Sequence, residues 1–170
     1  PFRREGRAIV FLHGAGMDHT VWSFPARHFA NRGLSALAPD FPGHGRSEGP
    51  PLASIAVMAD WTIRALDQLG LADIVLVGHS MGARVALEAA ARLGGRARGL
   101  ALVGVAERMA VNPGLRRAAE AGEDRAVEMI LKWSFGDRGD AAPRLRLEGH
   151  ARRLLERALR SALGTDLAAC

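Results

Sequence analysis

Asp73 to Leu87, DIVLVGHSMGARVAL, changes its periodicity at its centre. Ile74 to Val77 is a short β-branched run that predicts a buried strand, and from Met81 onward the apolar residues fall at helical spacing. Between them stands Gly78-His79-Ser80-Met81-Gly82. A turn this tight forces unusual backbone angles on Ser80, and the glycines two before and two after it let neighbouring backbone come close. The turn pushes the hydroxyl out over the sheet edge. The following helix aims its unpaired N–H groups, and the positive end of its dipole, at the same place. A serine hydroxyl is a weak nucleophile until a base takes its proton, so the stretch asks where the base is. The plainer alternative is that Ser80 only caps the helix starting at Met81.

The surrounding chain repeats the strand–loop–helix pattern. Arg7–His13 (RAIVFLH) predicts a strand ending in His13-Gly14-Ala15-Gly16, and Leu34–Asp40 (LSALAPD) a second strand running into the turn-rich Asp40–Ser47 (DFPGHGRS). Gly99–Val105 (GLALVGV) predicts a fourth strand. Trp22–Gly33 reads as a helix closed by Gly33, and Ser54 caps another whose apolar stripe is Ile55, Met58, Ala59, Ile63 and Leu66. Alternating strands and helices imply an α/β fold with a mainly parallel sheet flanked by helices. Strands apolar on both faces imply helices on both sides. Ligands of such sheets bind beyond the carboxyl ends of the strands, where HGAG, DFPGHGRS and GHSMG all lie. A tetrahedral oxyanion needs at least two donors, and the backbone N–H groups of Ala15 and Met81 are the candidates. His13 precedes its turn and is expected to hold loops together.

The sequence of 170 residues is 48% hydrophobic and 24% charged, the balance of one globular domain, and no apolar run reaches the roughly 20 residues that span a bilayer. The formal charge is +5, carried almost entirely by arginines scattered among acids, with Lys132 the single lysine. No nucleic-acid-reading module accompanies that charge, so neither nucleic acid nor membrane is expected as a partner. The one cysteine, Cys170, allows no intrachain disulfide and fits a reducing, cytoplasmic setting. The sequence sets no oligomeric state. From Ala106 to Cys170 no strand is recognisable. Asn112-Pro113 starts one helix, and others fit Glu123–Trp133 and Pro143–Leu163 on either side of the loop SFGDRGDAA. The expected division is a core over 1–105 and a helical region over 106–170.

Together FLHGAGMDHTVW, APDFPGHGRS and LVGHSMGARVALEAA resemble the α/β-hydrolase superfamily, in its branch of small serine esterases, over about Arg7 to Val105. The resemblance implies Ser80 as nucleophile, the Ala15 and Met81 N–H groups as oxyanion hole, and Asp40 and His44 as parts of a structural turn. It makes His13, Gly14, Trp22 and His79 the further pocket candidates, and the segment after Val105 the lid. It implies a carboxylic ester or similar small acyl compound as substrate and no metal or organic cofactor. Ser at position 80 separates the chain from the branches that use Asp there. Ala83 replaces a third glycine common in relatives.

The larger departure answers the question of the base. In this fold the acid and the histidine follow the nucleophile on loops after later strands, and such strands are not recognisable here. His150, the only histidine after Ser80, falls in a helical stretch of the expected lid, and Glu107 reads as an exposed lid residue rather than the acid. The expectation is therefore a fragment, inactive alone, whose acid and histidine lie beyond residue 170 and which lacks a first β-hairpin. Two other readings stay open. One is a hydrolase-like binding protein without catalysis. The other is a dinucleotide-binding module using Gly14-x-Gly16-x-x-His19 and Asp40, although His19 stands where close helix–sheet packing asks for glycine.

Overall fold

Four aliphatic runs pair in parallel in the order β2-β1-β3-β4 in a computed structural model that describes residues 7–136 and 142–170. They are β1 (Arg7–Leu12), β2 (Ala36–Leu37), β3 (Asp73–His79) and β4 (Ala97–Val103). Val10 lies opposite Leu37 on one side and Leu76 on the other, and Leu76 opposite Leu100. The parallel sheet and its flanking helices are those the sequence predicts. Two bounds differ. Pro39 has no N–H to donate to a ladder, and β2 stops at Leu37, well short of Asp40. The fourth strand starts two residues earlier than expected and ends at Val103, where Gly104 turns to φ +62°.

Side chains alternate across the sheet. Ala8, Val10, Leu12, Ile74 and Leu76 face α2 (Ile55–Gln68) and α3 (Met81–Leu93), and with Met58, Ala59, Leu66, Val85 and Ala86 they form the main core. Ser54 caps α2 as predicted, accepting from the Val57 N–H at 3.2 Å. On the other face α1 (Ser23–Asn31) covers only the β1–β2 side, where Phe11 packs against Trp22 and Phe29. The expected helices thus flank both faces, with the second face covered only in part. Leu100, Leu102 and Val103 of β4 stay exposed.

The chain after β4 forms α4 (Pro113–Glu120), α5 (Arg125–Phe135), α6 (Ala142–Leu159) and α7 (Leu163–Ala169). Asn112 caps α4 by accepting from the N–H groups of Gly114 and Leu115. The helix expected over Pro143–Leu163 stops at Leu159, and after a break at Arg160–Ala162 the further helix α7 runs on past the expected end. The loop expected after Trp133 falls partly outside the described residues. Leu115, Ala119, Val127, Leu131, Leu155, Leu159 and Leu163 make a second core, against which Ala15 and Met17 of the loop after β1 are packed. Among the described residues no helix is long and apolar enough to cross a membrane.

The crossing of α3 over β1 and β3 depends on two glycines. A Cβ on Gly78 would lie 2.2 Å from the Gly82 carbonyl oxygen, and one on Gly82 would lie 2.3 Å from the Leu12 oxygen. Both obstacles are backbone, which a rotamer change cannot relieve. Gly78→Ala and Gly82→Ala should each lose about 3 kcal/mol or more of unfolding free energy. Gly95→Ala meets nothing within 4 Å and should stay within about 0.5 kcal/mol of the parent in the same denaturant titration.

Candidate active site

Ser80 is the only non-glycine with positive φ among the described residues, at φ 52° and ψ −116°. Its side chain makes no capping hydrogen bond to α3, so the plain capping role is not what this serine does. Its N–H donates to the Val103 oxygen at 2.9 Å, and its carbonyl receives the N–H of Ala83 at 3.0 Å. The turn is thus held by backbone on both sides and leaves the hydroxyl without a partner among the described residues. A non-glycine held in this region is strained by roughly 1–3 kcal/mol, and such strain collects at functional sites.

The loop after β1 reaches Ser80 through Gly14. A Cβ there would come within 2.9 Å of His79 Nδ1 and 3.4 Å of Ser80 Cβ. Within that loop the Met17 N–H is taken by the Gly14 oxygen at 3.1 Å and the Gly16 N–H by Asp166 Oδ2 at 2.8 Å. The N–H groups of Ala15 and Met81 have no partner among the described residues. The two donors singled out in the sequence are thus unengaged, as are the N–H groups of Gly14 and Gly82 among the described residues.

Of the four pocket candidates, Trp22 and His79 line a cavity of about 680 Å³ between the sheet and the helical layer. Its other walls include Met17, Thr20, Phe24, Val103, Ile130, Leu131 and His150. Gly14 lies beside Ser80 as described. His13 lines none of the described cavities. It is fully enclosed, donating from Nδ1 to the Gly14 oxygen at 3.0 Å and accepting the Phe41 N–H on Nε2 at 3.1 Å. Burial pushes its pKa down from 6.5 to about 4, so it is a neutral strut between two loops. Burial also lowers His79. Glu107 is exposed.

Asp40 and His44 sit in the turn expected of them. The Asp40 carboxylate accepts the N–H groups of His19 and Arg46 at 2.6 and 2.9 Å and faces His19 Nδ1 at 2.9 Å. Burial opposes its charge, but these donors outweigh burial and hold it below the usual carboxylate range. Asp40 therefore has no oxygen left for a ribose, and with Gly16 turned to Asp166 the dinucleotide reading loses its two anchors. Asp18, His19 and Asp40 lie close enough together to hold a metal ion. Their ligand atoms already serve Thr20, Arg157, Arg46 and one another.

Sequence reasoning missed Asp166. It is completely buried on α7, and its Oδ2 meets both the Gly16 N–H and His44 Nε2 at 2.8 Å. His44 Nδ1 faces the Pro42 oxygen at 3.1 Å. Each ring nitrogen thus faces an acceptor, an arrangement that favours the doubly protonated ring. Burial lowers its pKa, but the Asp166 hydrogen bond and charge overcome that and raise it.

Residues 9–169 match the alpha/beta hydrolase family, and the chain belongs to it. It is 35% identical over 143 residues to the dihydrolipoyllysine-residue acetyltransferase component of the acetoin cleaving system of Cupriavidus necator, a match covering 81% of this chain and 38% of that one. Among solved structures it resembles the malate-bound thermophilic esterase of Thermogutta terrifontis (TM-score 0.70, 26% identity, 95% of this chain and 64% of that one). It also resembles an N-acyl homoserine lactonase complexed with N-butanoyl homoserine (TM-score 0.64, 26% identity, 93% and 63%). The chain thus spans less than two fifths of the curated relative and under two thirds of these structures.

Two outcomes follow from the site. Ser80→Gly removes the Cβ that makes positive φ costly, and should raise unfolding free energy by about 1 kcal/mol in a denaturant titration. His13, with its folded pKa depressed, takes up a proton more readily when unfolded, so its stabilising effect is whole above pH 6.5 and declines as pH falls toward 4. The decline should be on the order of 3 kcal/mol, and the slope should flatten in His13→Asn. His79 acts in the same direction.

Proposed function

We propose that the chain is the nucleophile-bearing portion of a serine hydrolase acting on carboxylic esters or similar small acyl compounds. The observation that carries the reading is Ser80 itself, held at positive φ between strand and helix with its hydroxyl unbonded and two unengaged N–H groups nearby. A base removes the Ser80 proton as Oγ attacks the acyl carbon. The negative charge on the carbonyl oxygen is met by the N–H groups of Ala15 and Met81, each worth about 10²–10³ in rate. The proton passes to the departing alkoxide, and water then releases the acid and restores the serine. Helices α4–α7 are the lid over the acyl pocket. The acid and histidine belong to sequence after residue 170, where the order of the triad in this fold puts them. A small acyl substrate needs neither metal nor organic cofactor, and the setting proposed is cytoplasmic.

A binding protein that has kept the turn and lost the chemistry makes the opposite prediction. In the protein extended through its acid and histidine, a fluorophosphonate should label Ser80, and Ser80→Ala should abolish both labelling and turnover of p-nitrophenyl butyrate. Residues 1–170 alone should give no more than the ~10³–10⁴-fold acceleration left when a triad member is missing. Failure of the extended protein to label or turn over would establish the binding role instead. Full turnover by residues 1–170 would place the base within them.

A further inference from the structure

We infer that His150 is a specificity residue, presenting Nδ1 as a fixed hydrogen-bond acceptor to an apolar acyl chain that carries a hydroxyl group. The word acyl rests on the hydrolase reading above; the acceptor does not. Asp18 is buried and meets Arg157 Nη2 at 3.3 Å. Its Oδ1 takes the Thr20 N–H at 2.9 Å and also the Thr20 hydroxyl. A hydroxyl has one proton to give, and Thr20 gives it to Asp18. At its other contact, 2.9 Å from His150 Nε2, the Thr20 oxygen can only accept. In the neutral ring Nε2 therefore carries the proton and Nδ1 the lone pair.

No described residue bonds that Nδ1, and it is not one of the enclosed polar atoms. The ring itself forms part of the cavity wall. The other polar walls do not duplicate it. Arg146 and the enclosed Trp22 Nε1 only donate, the hydroxyls of Ser23 and Ser134 both donate and accept and so reject neither partner, and no described residue fixes the tautomer of His79. Around them stand Met17, Val21, Trp22, Phe24, Ile130 and Leu131. A plain alkyl chain filling this space strips water from Nδ1 and leaves it unpaired, whereas a chain with a hydroxyl in reach replaces the water.

The test measures binding to Ser80→Ala chains, which cannot turn over, by calorimetry with methyl octanoate, methyl 3-hydroxyoctanoate and methyl 5-hydroxyoctanoate. At least one hydroxy ester should bind about tenfold more tightly than the octanoate. His150→Phe, which keeps a ring but no acceptor, should erase that preference. His150→Gln should keep part of it, since its amide can donate to Thr20 and its oxygen accept. Equal affinities in the His150 chain, a preference that survives His150→Phe, or no binding of any of the three would overturn the inference. Phosphonate labelling of Ser80 without selectivity sinks this inference alone. Selectivity that depends on His150 in a protein whose Ser80 never labels sinks the hydrolase reading and leaves the site.

Discussion

The carboxylate of Asp166 is the contact on which the two halves of the molecule agree. It belongs to the helical layer, yet its partners are the Gly16 amide of the loop after β1 and the His44 ring of the turn after β2. Side-chain exposure is 0% for Asp166 and 2% for His44. At such depth the pair must be kept whole, because removing one partner strands a charge that water no longer reaches. The arrangement is not fully satisfied even so, since Oδ1 is enclosed without a partner among the described residues. The gain is positional. With Gly16 turned toward Asp166, the loop that brings Gly14 against Ser80 is fixed and the Ala15 amide keeps no partner among the described residues.

The same loop is also wedged. Gly14 has no room for a side chain on its Ser80 side, and a Cβ on Gly16 would come within 2.9 Å of Leu163 and 3.0 Å of Leu155. Strain at Ser80, close approach at Gly14 and burial at Gly16 are three costs concentrated in one small region. The large apolar core under α2 and α3 supplies the stability that supports them. The fold can therefore be viewed as a rigid sheet and helix pair that hold one serine in an uncomfortable conformation.

Much of this was legible from local sequence. The parallel sheet follows from the alternation of strands and helices, the Ser54 and Asn112 caps follow from residue type and position, and the unusual backbone of Ser80 follows from glycines set two residues to either side. Each of those signals lies within a few residues of what it controls. Asp166 carried no such signal: a lone acid in LGTDLAA reads as a solvated helix residue until the sheet is folded under it. The Asp18–Thr20–His150 chain was hidden for the same reason, as His150 is 130 residues from the threonine it touches. His13 was foreseen as a tie between loops, because its place at a strand end needed no distant partner to be guessed. The shortness of β2 was missed because apolar composition continues through Ala38 and Pro39, and the start of α7 because no side chain caps it.

A chain leaves the ribosome from its N-terminus, and domains assemble as their parts emerge. Gly16 and Asp166 are 150 positions apart. While α7 is still unmade, β1, β3 and α3 can already pair and pack, and the turn at Ser80 can form on them. The amide of Gly16 and the ring of His44 then have only water to bond. Completion of the loop therefore waits for the synthesis of the helical layer, and the turn at Ser80 precedes the contact that fixes the loop beside it.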